Sequence, residues 1–173
     1  ILAERYKDKG GVDYIDSILG VNTGRSMSPI ATSDFVGLDV HKSIVNNIYQ
    51  FTNDYERQSF SFPELGNHLI MKGSLGRKSG GGLYKSIRLI SGEKQTLVYD
   101  INSDSYREVV KYDIPFLERM NYYLNIGEYR AAIRAMIDDQ SPEADICLRM
   151  LVGYVIYSLF IAKEVGIDIR LVD

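Results

Sequence analysis

Lys72-Gly73-Ser74-Leu75-Gly76-Arg77-Lys78-Ser79-Gly80-Gly81-Gly82-Leu83-Tyr84 holds five glycines and three cations in thirteen residues. Such a run is a loop whose backbone can take positive φ and approach another group closely. It invites a phosphate-cradle reading, and its spacing rejects one. A P-loop needs a Gly directly before the Lys that reaches the phosphates, whereas Arg77 separates Gly76 from Lys78. No apolar β-run precedes the loop either, since Pro63 to Met71 reads as a short helix. Two readings remain for the loop itself. It is a tight turn docking the strand at Tyr84 onto the helices, or it offers Arg77 and Lys78 to phosphate or carboxylate.

Working outward, the upstream sequence is helical. Ile1 to Lys7 reads as helix and is broken by Gly10-Gly11, and Val12, Ile15, Ile18 and Leu19 repeat at helical spacing. Ser28-Pro29 is a helix start, with Ser as N-cap and Pro at the first position, and Gly37 stops that helix. Asp39 is expected to cap the next helix, whose stripe is Val40, Ile44, Val45, Ile48 and Phe51. Asn53 to Phe62 is polar and irregular.

Downstream of the loop the period changes. Leu83 to Ile90 partly alternates, Ser91 to Lys94 turns and Thr96 to Tyr99 returns, which predicts a hairpin; Tyr106 to Val110 could add a third strand. From Asp113 the pattern is helical again: Pro115–Asn125, Glu128–Asp138, and a long helix from Pro142 to Val165 ended by Gly166. The charge-free centre of that helix, Met150 to Ala162, falls short of the ~20 apolar residues that span a bilayer. It is expected to be a covered core helix. Its apolar residues lie all round (Ile146, Leu148, Leu151, Val155, Ile156, Leu159, Phe160), so any side left bare should self-associate.

Bulk properties exclude little. A chain of 173 residues fits one domain or two small units, and 45% hydrophobic with 25% charged residues is ordinary for a globular protein. The net charge of −3 gives no general reason to expect nucleic-acid binding. A single cysteine, Cys147, excludes an internal disulfide or a Cys-based zinc site and suits a reducing cytoplasm. Within its apolar run it reads as a small buried hydrophobe rather than a nucleophile. His41 and His68 show no partner pattern for a triad or a metal. Asp13 and Asp16 are expected to be solvated or capping, and Asp34 to tie helix ends together.

The glycine loop resembles the Lys-Gly-x-Leu-Gly-x-Lys-Ser/Thr-Gly-x-Gly-Phe-Tyr signature of the C-terminal domain of 3-hydroxyacyl-CoA dehydrogenases, with Leu83 in place of Phe. Gly24-Arg25-Ser26-Met27-Ser28-Pro29 running to Asp34, Gly37, Leu38 and Asp39 is similar to the family's Gly-x-Pro-Met-Gly-Pro-x-x-x-x-Asp-x-x-Gly-Leu-Asp, with Ser26 and Ser28 replacing Pro and Gly. Val12-Asp13-Tyr14-Ile15-Asp16 is similar to the Asp-Ile-Asp that precedes it. The three motifs stand in the family's order.

The resemblance implies a mainly α fold, a helical bundle of the 6-phosphogluconate-dehydrogenase C-terminal-like type with a small β-hairpin insertion. It implies a first copy of the unit at 1–84, a linker at 85–141 and the opening of a second copy at 142–173, where Ala162 to Asp173 resembles Ala3 to Asp16. For a longer, cytoplasmic parent it implies NAD-dependent oxidation of 3-hydroxyacyl-CoA in fatty-acid β-oxidation. NAD would sit on an N-terminal domain absent from this sequence, acyl-CoA would be the substrate, and a homodimer is expected, with no nucleic acid, membrane or metal as partner. Substrate contacts fall on Met27, Pro29, Arg77 and Lys78. Gly24, Asp34, Gly37, Asp39, Gly73, Gly76, Gly80, Gly82 and Tyr84 carry the structural motif, and no catalytic residue falls in this sequence. The rival readings are a non-catalytic helical interaction module and the helical domain of a related 3-hydroxy-acid dehydrogenase.

Overall fold

The computed structural model describes residues 1–53, 56–166, 168 and 170. It is mainly helical with a small antiparallel sheet, in the order α1 (Leu2–Arg5), α2 (Val12–Ile18), α3 (Pro29–Val36), α4 (Leu38–Phe51), α5 (Glu64–Met71), β1 (Tyr84–Arg88), β2 (Lys94–Asp100), β3 (Ser105–Glu108), α6 (Pro115–Asn125), α7 (Tyr129–Ile137) and α8 (Pro142–Val165). The chain divides into two compact units. One comprises residues 1–20 and 26–112, the other 21–25 and 113–173.

In the first unit the apolar stripes of the short helices converge on Ala3, Val12, Leu38, Leu69, Leu83, Val98 and Tyr99. The helix breaks are glycines with positive φ, at Gly10, Gly11 and Gly37. The hairpin is part of a three-stranded meander, β1-β2-β3. Its register places Tyr84 opposite Val98, Ser86 opposite Thr96 and Arg88 opposite Lys94. Residues directly opposite share a face of the sheet, so the face that buries Val98 continues outward through two hydroxyls to two cations.

Helix capping here is tertiary. Ser28 occupies the N-cap of α3, but its hydroxyl bonds no amide of that helix. The Asp16 carboxylate of α2 accepts from Ile30 N at 2.9 Å and Ala31 N at 2.8 Å instead. Glu4 of α1 does the same for Leu65 N at the start of α5, at 2.8 Å. Asp39 is not the cap of α4. Gly37 holds that position, and Asp39 lies inside the first turn, where its charge favours the helix N-terminus.

In the second unit α6 packs on α7 and α7 on α8, with the turn Val21–Thr23 against α6. Phe116, Met120, Ala132, Met136, Ala144 and Cys147 are buried. Cys147 accepts a weak hydrogen bond from Asn22 Nδ2 at 3.7 Å, and burial pushes its thiol up to about 11. It is inert packing. The expectation of a covered core helix fails for α8. Only Ala144, Ile146, Cys147 and Ala162 are buried along it, while Val152, Tyr154, Val155, Ile156, Leu159 and Phe160 are exposed. By length and composition α8 is long and apolar enough to cross a membrane. Ile167, Ile169 and Leu171 to Asp173, on which the reading of a second copy rests, lie outside the described residues, as do positions 54 and 55 of the expected irregular stretch.

Candidate functional site

The glycine loop is held by two buried carboxylates. Asp34 of α3 accepts from Leu83 N at 2.5 Å and from Tyr84 N at 3.3 Å. Asp16 accepts from the Tyr84 hydroxyl at 2.9 Å while it caps α3. Burial pushes both carboxyls above their ordinary value, despite the amide and hydroxyl donors around them. Burial, with the nearby Asp16 charge, drives the Tyr84 phenol far upward, so it stays a donor. These acids are spent on backbone amides and a phenol, which makes them fasteners rather than proton-transfer groups.

The loop closes on itself through reciprocal Gly76–Gly81 backbone bonds, at 3.0 and 3.2 Å. Ser79 Oγ lies within it, accepting from Leu75 N at 2.8 Å. Gly76 and Gly80 have φ of +112° and +82°. Gly82 does not share this conformation. It is glycine for space, because a Cβ there would lie 2.3 Å from Asp34 Oδ1 and 2.5 Å from Gly76 Cα. Lys78 reaches back to Asp39 at 2.5 Å, over Gly37. That cation holds Asp39 below its usual range.

Beside the loop lies an open cleft of about 740 Å³, bordered by Met27, Ala31, Asp34, Phe35, Arg77, Gly80, Gly81, Tyr84, Lys85, Ser86, Lys94 and Thr96. It brings together Met27 and Arg77 of the expected substrate contacts, with Asp34, Gly80 and Tyr84 of the motif. Pro29 and Lys78 do not line it. Gly73 and Gly24 have positive φ with open space beside them, and Gly24 belongs to the second unit. Sequence reasoning missed Lys85, Ser86, Lys94 and Thr96. Strand alternation could have put Tyr84 and Ser86 on one face, but the partners across from them depend on register. The cleft border contains neither His nor Cys.

Residues 4–86 match the family model described as the C-terminal domain of 3-hydroxyacyl-CoA dehydrogenase. The matched span contains the clasp described above, from Asp16 through Asp34 to Tyr84, so the family motifs and the fastened loop are one object. A probable 3-hydroxyacyl-CoA dehydrogenase of Bacillus subtilis is 29% identical over 95% of this chain and 20% of its own length. A probable 3-hydroxyacyl-CoA dehydrogenase of Caenorhabditis elegans is 39% identical over 43% of the chain and 23% of its own length. The mitochondrial hydroxyacyl-coenzyme A dehydrogenase of Rattus norvegicus is 34% identical over 49% of the chain and 27% of its own length. The chain thus spans about a fifth to a quarter of these relatives.

Two further clusters lie outside the cleft. His68, which showed no triad or metal pattern in the sequence, bonds Asp104 at 2.7 Å, and Lys72 and the Tyr99 hydroxyl converge on the same carboxylate. Lys72, Tyr99 and His68 hold Asp104 far below its usual range. Asp13, expected to be solvated or capping, is 3% exposed and paired with Arg107. Among the described residues no cluster of His, Cys, Asp and Glu could hold a metal.

Proposed function

We propose that residues 4–86 form the substrate-side domain of an NAD-dependent 3-hydroxyacyl-CoA dehydrogenase, which oxidises 3-hydroxyacyl-CoA to 3-oxoacyl-CoA in fatty-acid β-oxidation. The observation that carries the reading is the fastened glycine loop bordering a cleft that Met27 and Arg77 share. Met27 shapes the acyl end, and Arg77 supplies a cation for phosphate or carboxylate. NAD does not fit this chain. Its sheet is an antiparallel meander with no parallel βαβ unit among the described residues, and the sequence has no Gly-x-Gly-x-x-Gly, the phosphate-binding turn for a dinucleotide. Hydride acceptor and catalytic base are assigned to a separate domain of a longer protein, in keeping with the length of the relatives.

The expected result is that purified chain leaves NADH unconsumed with acetoacetyl-CoA, while a longer protein containing it turns over. NADH consumption by the chain itself would overturn the domain assignment. An inactive longer protein would favour the non-catalytic module.

The exposed row on α8 supports association with a second copy of this helical unit, either on another chain or in tandem. The chain is expected to run above monomer mass by light scattering at high micromolar concentration. A monomer throughout would remove this part of the proposal.

A further inference from the structure

Three cations border the cleft, Arg77, Lys85 and Lys94, against one carboxylate, Asp34. Asp34 is the buried floor and is engaged by the Leu83 and Tyr84 amides. None of the three cations is paired with a carboxylate among the described residues. Arg77 lies over the Phe35 ring at 5.5 Å and Lys85 over the Tyr106 ring at 5.3 Å, contacts that orient a cation without neutralising it. Lys94 stands directly opposite Arg88 in the β1–β2 register. Like charges facing across a ladder cost stability, and no carboxylate among the described residues pairs with either. Glu93, next to Lys94, turns to Ser91 instead. Ser86 and Thr96, also opposite each other, put two exposed hydroxyls between the cationic end and the loop. Exposed Met27 and Phe35 give the cleft an apolar side.

We propose that this cleft binds phosphate groups through Arg77, Lys85 and Lys94, with Ser86 and Thr96 as added donors. On the acyl-CoA reading above, on which the identity of the ligand rests, they are the phosphates of the CoA moiety. Lys94 and Thr96 lie on β2, outside the residues matched by the family model, so the meander adds to the site a half that the motifs do not carry. Binding is electrostatic in the main and therefore weakens as salt rises. The apolar side favours a phosphorylated ligand with an organic body over a bare anion.

Calorimetric titration of the chain with coenzyme A, pantetheine and inorganic pyrophosphate tests this. Coenzyme A and pyrophosphate are expected to bind, with pantetheine at least about tenfold weaker because it lacks the charge-assisted bonds. Lys94→Gln should weaken coenzyme A by about fivefold or more, and Lys94→Arg should restore it. Equal binding of coenzyme A and pantetheine, or no change in Lys94→Gln, would overturn the phosphate site. A longer protein that turns over acyl-CoA with the same KM when it carries Lys94→Gln would overturn it too, while leaving the dehydrogenase reading standing. Pyrophosphate binding without coenzyme A binding would refute the assignment to CoA.

Discussion

Gly76→Val is expected to lower the unfolding free energy by about 3 kcal/mol or more. Two costs meet at this position. Its φ of +112° is one that L-residues rarely adopt, and holding a β-branched residue there costs on the order of 1–3 kcal/mol. The added Cβ would also lie 2.2 Å from the Asp34 carbonyl oxygen, on a helix backbone that cannot swing aside like a side chain. Any shift that relieves the clash breaks the Gly76–Gly81 bridge and disturbs the Asp34 bonds to Leu83 and Tyr84. Gly82→Val carries the clash without the positive φ, and Gly80→Val carries the φ of +82° with nothing within 4 Å. Gly76→Val and Gly82→Val should therefore melt well below wild type, and Gly80→Val should cost only the backbone strain, on the order of 1–3 kcal/mol. Similar melting temperatures for the Gly76 and Gly80 variants would mean that flexibility, not close approach, explains the glycines.

What could be read in the sequence was local. Gly10-Gly11, Gly37, Pro63 and Gly166 mark helix ends because backbone conformation there depends on the residue itself. The switch from helical to alternating period at Leu83 was legible for the same reason. Partners fixed by tertiary packing were not. Asp39 looked like a cap from its place before an apolar stripe, but the helix begins one residue earlier, at Leu38. Ser28 looked like a self-sufficient cap, yet Asp16, from another helix, satisfies the amides of α3. Gly82 could be recognised as special without revealing whether φ or space was the reason. At the cleft, Arg77 and Met27 came from motif matching. Lys94 could not have been found without the β1–β2 register, which brings it opposite Arg88. The exposure of α8 was hidden because an all-round apolar helix reads the same whether its cover is in this chain or elsewhere.

Arg107→Ala is expected to cost about 3 kcal/mol at neutral pH, as breaking one side of a buried ion pair does. Asp13, 3% exposed, is bound by Arg107 Nη1 at 2.8 Å and Nη2 at 2.6 Å, a two-pronged contact between residues far apart in the chain. The same guanidinium donates to the Gly10 carbonyl at 2.8 Å, so it also secures the break between α1 and α2. Truncation would leave the carboxylate with Val110 N and the Tyr112 hydroxyl but no counter-charge. Burial alone would raise the Asp13 carboxyl, but Arg107, Val110 and Tyr112 outweigh it and hold the group below its ordinary value. A carboxyl lowered on folding contributes stability that is fully present above its unfolded value and is lost as pH falls through the folded one. In Arg107→Ala burial is left largely unopposed, the folded value rises above the unfolded one, and the site's contribution then declines as pH rises through that window. Asp16 and Asp34 keep their own raised values in both proteins, so their effect cancels in the comparison. The gap between wild type and Arg107→Ala should therefore be widest at neutral pH and shrink as pH falls through the carboxylate range. Urea unfolding of both proteins across that range measures it. A gap that stays constant with pH would show that Arg107 acts through packing and the Gly10 carbonyl rather than as the counter-charge of Asp13.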